Sequence, residues 1–217
     1  MIVIGAKGFA KEVLEVLQQC NQTENLAFYD DVNEIGEKLY QTFPILKNEA
    51  QVTQFFKAYG NQFTIGIGNS LLRYKLYKKF TKLGGEMIST ISPLAQISSF
   101  EVTIGAGSNI LMNAVFSNSV TIGKGCLVYY NAMITHDCVV GDFVEISPGA
   151  TLLGRSTVGS FSQIGANATI FPDVKIGKNV TIGAGAVVTK DIPDNSIAYG
   201  IPAIVMKTVE PFNENML

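Results

Sequence analysis

Large apolar residues recur at every sixth position from Ile104 through Ile110, Phe116 and Ile122 to Ile182 and Val188, without a miss in fifteen places. Four residues after each stands a mostly small one, from Ser108, Ala114 and Val120 to Ala186 and Ile192. Six is not a multiple of 3.6, so an α-helix would smear these side chains around its circumference. A short strand followed by a turn fits, with one large and one small inward side chain per unit. No other feature of the chain restricts its fold as tightly, because a repeat of this kind must stack on itself to bury its anchors.

A second period lies inside the first. Gly105, Gly123, Gly141, Gly159 and Gly177 recur every eighteen residues. Eighteen is three hexads, so three short strands make one triangular coil, and residues i and i+18 should stack at roughly the 4.8 Å spacing of parallel strands. Glycine at such a corner is expected to serve a backbone with φ > 0. The register extends back through Ile97 and Ile91 if one residue is inserted between Ile97 and Ile104. The expected architecture is a parallel β-helix prism.

The first ninety residues follow another rule. Ile2–Ile4 reads as a short buried strand, followed by a glycine turn and by Lys11–Leu17 at helical spacing. Leu26–Tyr29 reads as a second strand ending at Asp30 and Asp31. Ala50–Tyr59 reads as a helix, Phe63–Ile67 as a strand and Leu71–Leu83 as a Lys-rich helix. Strands alternating with helices imply a small βαβ, Rossmann-like sheet. Charge density changes too: 19 of the first 90 residues are charged, against 15 of the remaining 127. The expected division is 1–90, a βαβ domain; 91–207, the β-helix with a C-terminal cap over Ile197–Lys207; and 208–217, a loose tail.

A net charge of −2 offers no basic field for phosphate backbones, which argues against a nucleic-acid binder. No apolar run approaches the roughly 18 residues of a membrane helix, and Met1–Gly5 is too short for a signal peptide. Cys20, Cys126 and Cys138 form no CxxC pair, so neither a disulfide framework nor a zinc site is expected. The expected compartment is the cytoplasm.

The sequence has one histidine, His136, two places after the anchor Ile134 and beside Asp137. That position belongs to a turn or outer surface. From spacing alone it reads as a solvated surface histidine or as a general base, since an accessible imidazole beside a carboxylate suits proton transfer near neutrality. Gly154 lies eighteen residues later and should stack one coil away. There a bare glycine either relieves a corner or leaves a backbone N–H open as an oxyanion donor.

The hexad array, the segment Thr135–Gly141 (THDCVVG) and the tail Tyr199–Ala203 (YGIPA) resemble the left-handed β-helix acyltransferases. Val3–Glu12 (VIGAKGFAKE), Tyr29–Asp31 and Ile67–Asn69 (IGN) narrow the resemblance to bacterial sugar acetyltransferases. That group includes bacillosamine- and perosamine-type nucleotide-sugar N-acetyltransferases and the sialic acid O-acetyltransferases. Left-handedness is implied only by the resemblance, since parallel crossovers are ordinarily right-handed. The resemblance implies acetyl transfer from acetyl-CoA to the amine of a nucleotide-linked amino sugar of the 4-amino-4,6-dideoxy type, for surface glycan synthesis. It makes His136 the base, Asp137 its orienting carboxylate and Gly154 the oxyanion donor. Ala166, Ala184 and Pro202 match cofactor-binding positions along an edge between subunits of a homotrimer. Gly5 and Gly8 match a phosphate turn, Asp30 and Asp31 an acidic pair reaching the base, and Asn69 and Arg73 complete the substrate set.

The chain departs from that pattern in three places. Many relatives carry His where Phe9 stands, Glu precedes the catalytic histidine where Thr135 stands, and a second histidine is replaced by Glu145. A carboxylate at 145 would favour an amine-bearing sugar. O-acetylation of a sugar such as sialic acid is the alternative within the same chemistry, and a non-enzymatic trimeric scaffold the alternative outside it. A γ-type carbonic anhydrase would need three histidines, so no metal is expected. Gly5–Ala10 is GxxGxA and not the GxGxxG of dinucleotide oxidoreductases.

Overall fold

The computed structural model describes residues 1–211. The N-terminal sheet contains β1 (Ile2–Ile4), β2 (Ala27–Tyr29), β3 (Lys38–Leu39), β4 (Phe43–Leu46), β5 (Gln62–Ile65) and β6 (Glu86–Met87), in the order β3-β4-β2-β1-β5-β6. Only the β3–β4 pair is antiparallel, so the sheet is mixed. Helices α1 (Gly8–Gln19), α2 (Glu49–Tyr59) and α3 (Ser70–Lys82) fall where the periodicity places them. The β3–β4 hairpin and β6 carry no such signal in the sequence. Ile2, Val3, Ile4, Phe28 and Phe63 are fully buried or nearly so, as expected of central parallel strands covered on both faces.

From Thr90 the chain winds as a three-sided prism. Face A stacks Thr90–Ile91, Asn109–Ile110, Leu127–Val128, Glu145–Ile146, Gln163–Ile164 and Thr181–Ile182. Face B runs from Gln96–Ile97 to Val187–Val188, and face C from Thr103–Ile104 to Lys175–Ile176. Each strand is two residues long and pairs in parallel with the one eighteen residues away, as Ile122 with Val140 and Ile134 with Leu152. Every hexad anchor from Ile110 onward is buried, and so is every small residue from Ser108 to Ile192. In the first coil the offset is nineteen, Ile91 pairing with Ile110 and Ile97 with Phe116. The extra residue therefore lies between Ile97 and Ile104, as the sequence requires.

The eighteen-residue glycines are explained differently from the expectation. Gly105, Gly123, Gly141, Gly159 and Gly177 are absent from the positive-φ positions. What they avoid is the next coil: a Cβ on Gly159 would stand 2.6 Å from the carbonyl carbon of Gly177, and one on Gly105 2.5 Å from that of Gly123. The left-handed position lies two residues later and recurs every six, from Glu101 and Gly107 to Asn179 and Gly185. Gly, Asn and Asp fill most of these places, as the αL region favours, but Phe143, Arg155 and Phe161 occupy it as well.

At the far end Ser196–Gly200 pairs with Thr181–Ile182 and turns back as Ala203–Thr208. The register there is sixteen, so Ala198 and not Ile197 takes the inward place. Of the tail, the portion up to 211 is tied down: Val209 N–H donates to Asn195 O at 2.8 Å and Asn179 Nδ2 to Glu210 O at 3.2 Å. Residues 212–217 lie outside the described residues.

The N-terminal unit sits on face A. Asn109, fully buried, accepts from Thr64 and Thr90 hydroxyls at 2.9 and 2.6 Å and donates to Ile65 O at 2.9 Å. Ser92 Oγ donates to Gln19 at 2.8 Å. Phe143 and Phe161 stack one coil apart at 5.7 Å, and Tyr74 of α3 meets both edge-on.

Candidate functional site

His136 stands on the corner between faces B and C. Its Nδ1 lies 2.7 Å from Asp137 Oδ2, and about half of each side chain is exposed. Asp137 occupies one of the left-handed positions (φ 62°), where a short polar side chain costs little and curls back toward its neighbour. With Nδ1–H given to the carboxylate, Nε2 carries the lone pair. The ring rests against Gly154, where a Cβ would come within 2.5 Å of Cε1 and 2.7 Å of Nε2. Gly154 O accepts from Asp173 N at 3.1 Å, while among the described residues its own N–H donates to nothing. The ring and Gly154 thus stack one coil apart, with Gly154 buried beneath the imidazole.

Ala166 and Ala184 stand on a different corner, between faces A and B, one coil apart. Gly185 N–H donates to Ala166 O at 2.8 Å. The amides of Ala166 and Ala184 themselves donate to nothing among the described residues. Tyr199 packs over Gly183, and Pro202, after a cis peptide bond, forms the tip of the terminal hairpin next along this corner. Within one chain, then, His136 and this alanine corner are separated by the width of face B.

The remaining residues gather at the C-terminal ends of β1, β2 and β5. The sheet order runs outward from β1 through β2 to β4 and then returns to β5, so the order reverses beside β1, the usual ligand position of such sheets. Gly5, with φ 99°, donates to Tyr29 O at 2.7 Å, and a Cβ there would strike Gly66 O. Gly8 opens α1 and has nothing within 4 Å of its missing side chain. Unlike α2 and α3, α1 has no side-chain cap on its first amides.

Three expectations change here. Asp30 is buried and spends its carboxylate on the following turn, accepting from Val32 N and from both nitrogens of Asn33. Asn69 caps α3, accepting from Leu72 N at 2.9 Å. Arg73 is 1% exposed and cannot meet a phosphate: its guanidinium donates to the carbonyls of Gly68, Gly125, Phe143 and Val144. It is a strut between α3 and the prism. Asp31 stays at the surface; burial works against its charge, but the Tyr29 hydroxyl at 2.7 Å and the Lys79 ammonium at 3.4 Å hold its pKa below the usual value.

Residues 1–80 match the family model of the PglD N-terminal domain, and 119–154 and 155–190 match the bacterial transferase hexapeptide model of six repeats. The acetyltransferase domain of PglB from Neisseria gonorrhoeae, solved with acetyl coenzyme A, is 31% identical, with 94% of this chain and 98% of that chain covered and a TM-score of 0.85. The chain belongs to the PglD-type hexapeptide-repeat nucleotide-sugar N-acetyltransferases.

Two further solved members of this family superpose as well. WeeI from Acinetobacter baumannii is 32% identical over 94% of this chain and 98% of that one, with a TM-score of 0.86. PerB from Caulobacter crescentus, solved in complex with CoA and GDP-perosamine, is 28% identical over 95% and 96%, with a TM-score of 0.87. No curated protein matches the chain. Among the described residues no three His, Cys, Asp or Glu side chains converge as a metal site, and no helix is long and apolar enough to cross a membrane.

Sequence reasoning missed Tyr129, which packs against Phe9 at 5.3 Å between ring centroids on the side of the prism that meets α1. Burial, with the Glu145 and Glu12 carboxylates, pushes its phenol pKa upward. Nothing in the hexad pattern marks this residue, because its corner is defined only once the N-terminal unit is docked.

Proposed function

We propose that this protein transfers the acetyl group of acetyl-CoA to the amine of a nucleotide-linked amino sugar, with His136 as the general base. The observation that carries the reading is His136 itself, oriented by Asp137 and lying over Gly154, whose N–H has no acceptor among the described residues. Nε2 takes a proton from the attacking amine as the C–N bond forms. The Gly154 N–H is a donor for the charge that develops on the acetyl oxygen. As the C–S bond breaks, the proton held on Nε2 passes to the departing sulfur, so the products are an amide and free CoA.

The alanine corner suits the pantetheine arm, since Ala166 and Ala184 offer open backbone amides and no bulk. Because it stands a full face away from His136, a site made of both needs a second copy of the chain, which supports a homotrimer with three equivalent sites. The region flanked by Gly5, Gly8 and Asn69, at the uncapped start of α1, is the place for the nucleotide, with Asp31 at its rim. A substrate of this kind points to the cytoplasm.

The test is thiol release from acetyl-CoA with UDP-, dTDP- and GDP-linked 4-amino-4,6-dideoxy sugars and free sialic acid, for wild type and His136→Ala. Turnover with an amino sugar, falling by roughly a hundredfold or more in the variant, is expected of a missing base. Turnover with sialic acid alone would replace N- by O-acetylation. Failure to bind acetyl-CoA would leave only the scaffold.

A further inference from the structure

Phe9 of α1 and Glu145 of face A both lie beside Tyr129. Glu145 points outward from face A, beside Gly68 of the N-terminal unit. Its Oε1 accepts from Ser147 Oγ and Gln163 Nε2, both at 3.1 Å. Its Oε2 accepts nothing among the described residues and stands 3.8 Å from the place a Cβ on Gly68 would fill. Arg73 passes nearby but gives its hydrogen bonds to backbone carbonyls, and Glu145 forms no ion pair among the described residues. Burial raises the Glu145 pKa; the Arg73 charge and the two hydrogen bonds oppose that rise. Phe9, packed on Tyr129, supplies an apolar wall with no polar group of its own.

A half-buried carboxylate with one oxygen satisfied, the other aimed at a glycine loop, and no ion pair among the described residues is matched by a ligand that brings a cation into contact. Resting on the function proposed above, we infer that Glu145 selects the acceptor by holding the ammonium group of an amino sugar on Oε2 while the nucleotide occupies the region between Gly8 and Asn69. An alcohol in the same place meets only a neutral hydrogen bond, so the amine gains the extra strength of a charge-assisted one. The ammonium sheds one proton to solvent before the neutral amine attacks, so Glu145 acts on binding and not on the acyl transfer itself.

The experiment is calorimetric titration of the full-length protein at pH 7 with dTDP-4-amino-4,6-dideoxyglucose and dTDP-6-deoxyglucose, repeated with the UDP- and GDP-linked pairs. Wild type is expected to prefer the amine by roughly ten- to a hundredfold. Glu145→Gln, which preserves the shape and the Ser147 contact, should bring the two sugars within about threefold of one another without weakening the hydroxyl sugar. Glu145→Asp should keep part of the preference. An unchanged preference in Glu145→Gln, or none in wild type, overturns the inference while leaving acetyl transfer intact. Turnover that is insensitive to His136→Ala would sink the catalytic reading without touching the binding preference, and wild type binding none of the pairs would sink both.

Discussion

The imidazole of His136 lies against Gly154, eighteen residues along and one coil away, with its Cε1 and Nε2 nearest and less room between them than a methyl group needs. Gly154→Ala therefore forces the ring to rotate off the Asp137 carboxylate. The side chain is half exposed and can move, so the cost falls on catalysis and not on folding. The expected result is a kcat lower by roughly ten- to a hundredfold with an unchanged denaturation midpoint. A variant with full kcat would show that the ring need not sit there.

Gly159 has the opposite character. Its missing Cβ would meet the main chain of Gly177 and Lys178 at 2.6 Å, and backbone inside a stacked coil has nowhere to go. Gly159→Ala should cost about 1–3 kcal/mol by overpacking, read from urea denaturation. Gly8→Ala, with open space around it, should leave stability within about 0.5 kcal/mol.

The difference between these glycines bears on what the sequence discloses. The hexad anchors are legible because every one points inward, and burial alone fixes their chemistry. The eighteen-residue glycines are equally visible, but their cause is not: a positive φ and a backbone pressed against its neighbour select the same residue, and only the register separates them. The left-handed positions stayed hidden because Phe143, Arg155 and Phe161 sit among the Asn, Asp and Gly that would have revealed them. In the N-terminal unit the helices are legible, whereas Asn69 and Arg73 spend their polar groups on main-chain atoms and Asp30 spends its own on the next turn, the Asn33 side chain included. Sequence spacing carries no trace of such partners.

Arg73→Met tests the strut. The change leaves the carbonyls of Gly68, Gly125, Phe143 and Val144 without their donor in a dry interface. A loss on the order of 3 kcal/mol is expected. Arg73→Lys should recover little, since one ammonium cannot span the positions that a planar guanidinium reaches. Equal stability of all three proteins would remove Arg73 from the joint between the two units.

Asp31 gives a pH dependence with a definite sign. Its folded pKa is depressed below the ordinary carboxylate value, so the unfolded chain binds the proton more readily. The stabilisation is present in full above the ordinary carboxylate range and is lost as pH falls through the folded value. The pair is partly exposed, which limits the effect to about 1 kcal/mol or less. Asp31→Asn should be less stable than wild type at pH 7, and the two should converge in acid. A gap that persists at low pH would mean that the loss comes from packing and not from charge.

A chain that winds eighteen residues per turn measures distance in whole coils. The separation of His136 from any later residue of its own corner, Gly154 among them, is a whole number of strand spacings, set by how many hexad triplets lie between. Removing one triplet shortens the prism by a single spacing and returns every later residue to the same face. Removing five residues or seven does not, and would turn inward-facing anchors toward solvent. The single extra residue between Ile97 and Ile104 is accommodated where the winding starts, before any residue of the His136 corner. Length variation in this chain is therefore a counting problem, in which eighteen is the unit and the first and last coils take up the remainder.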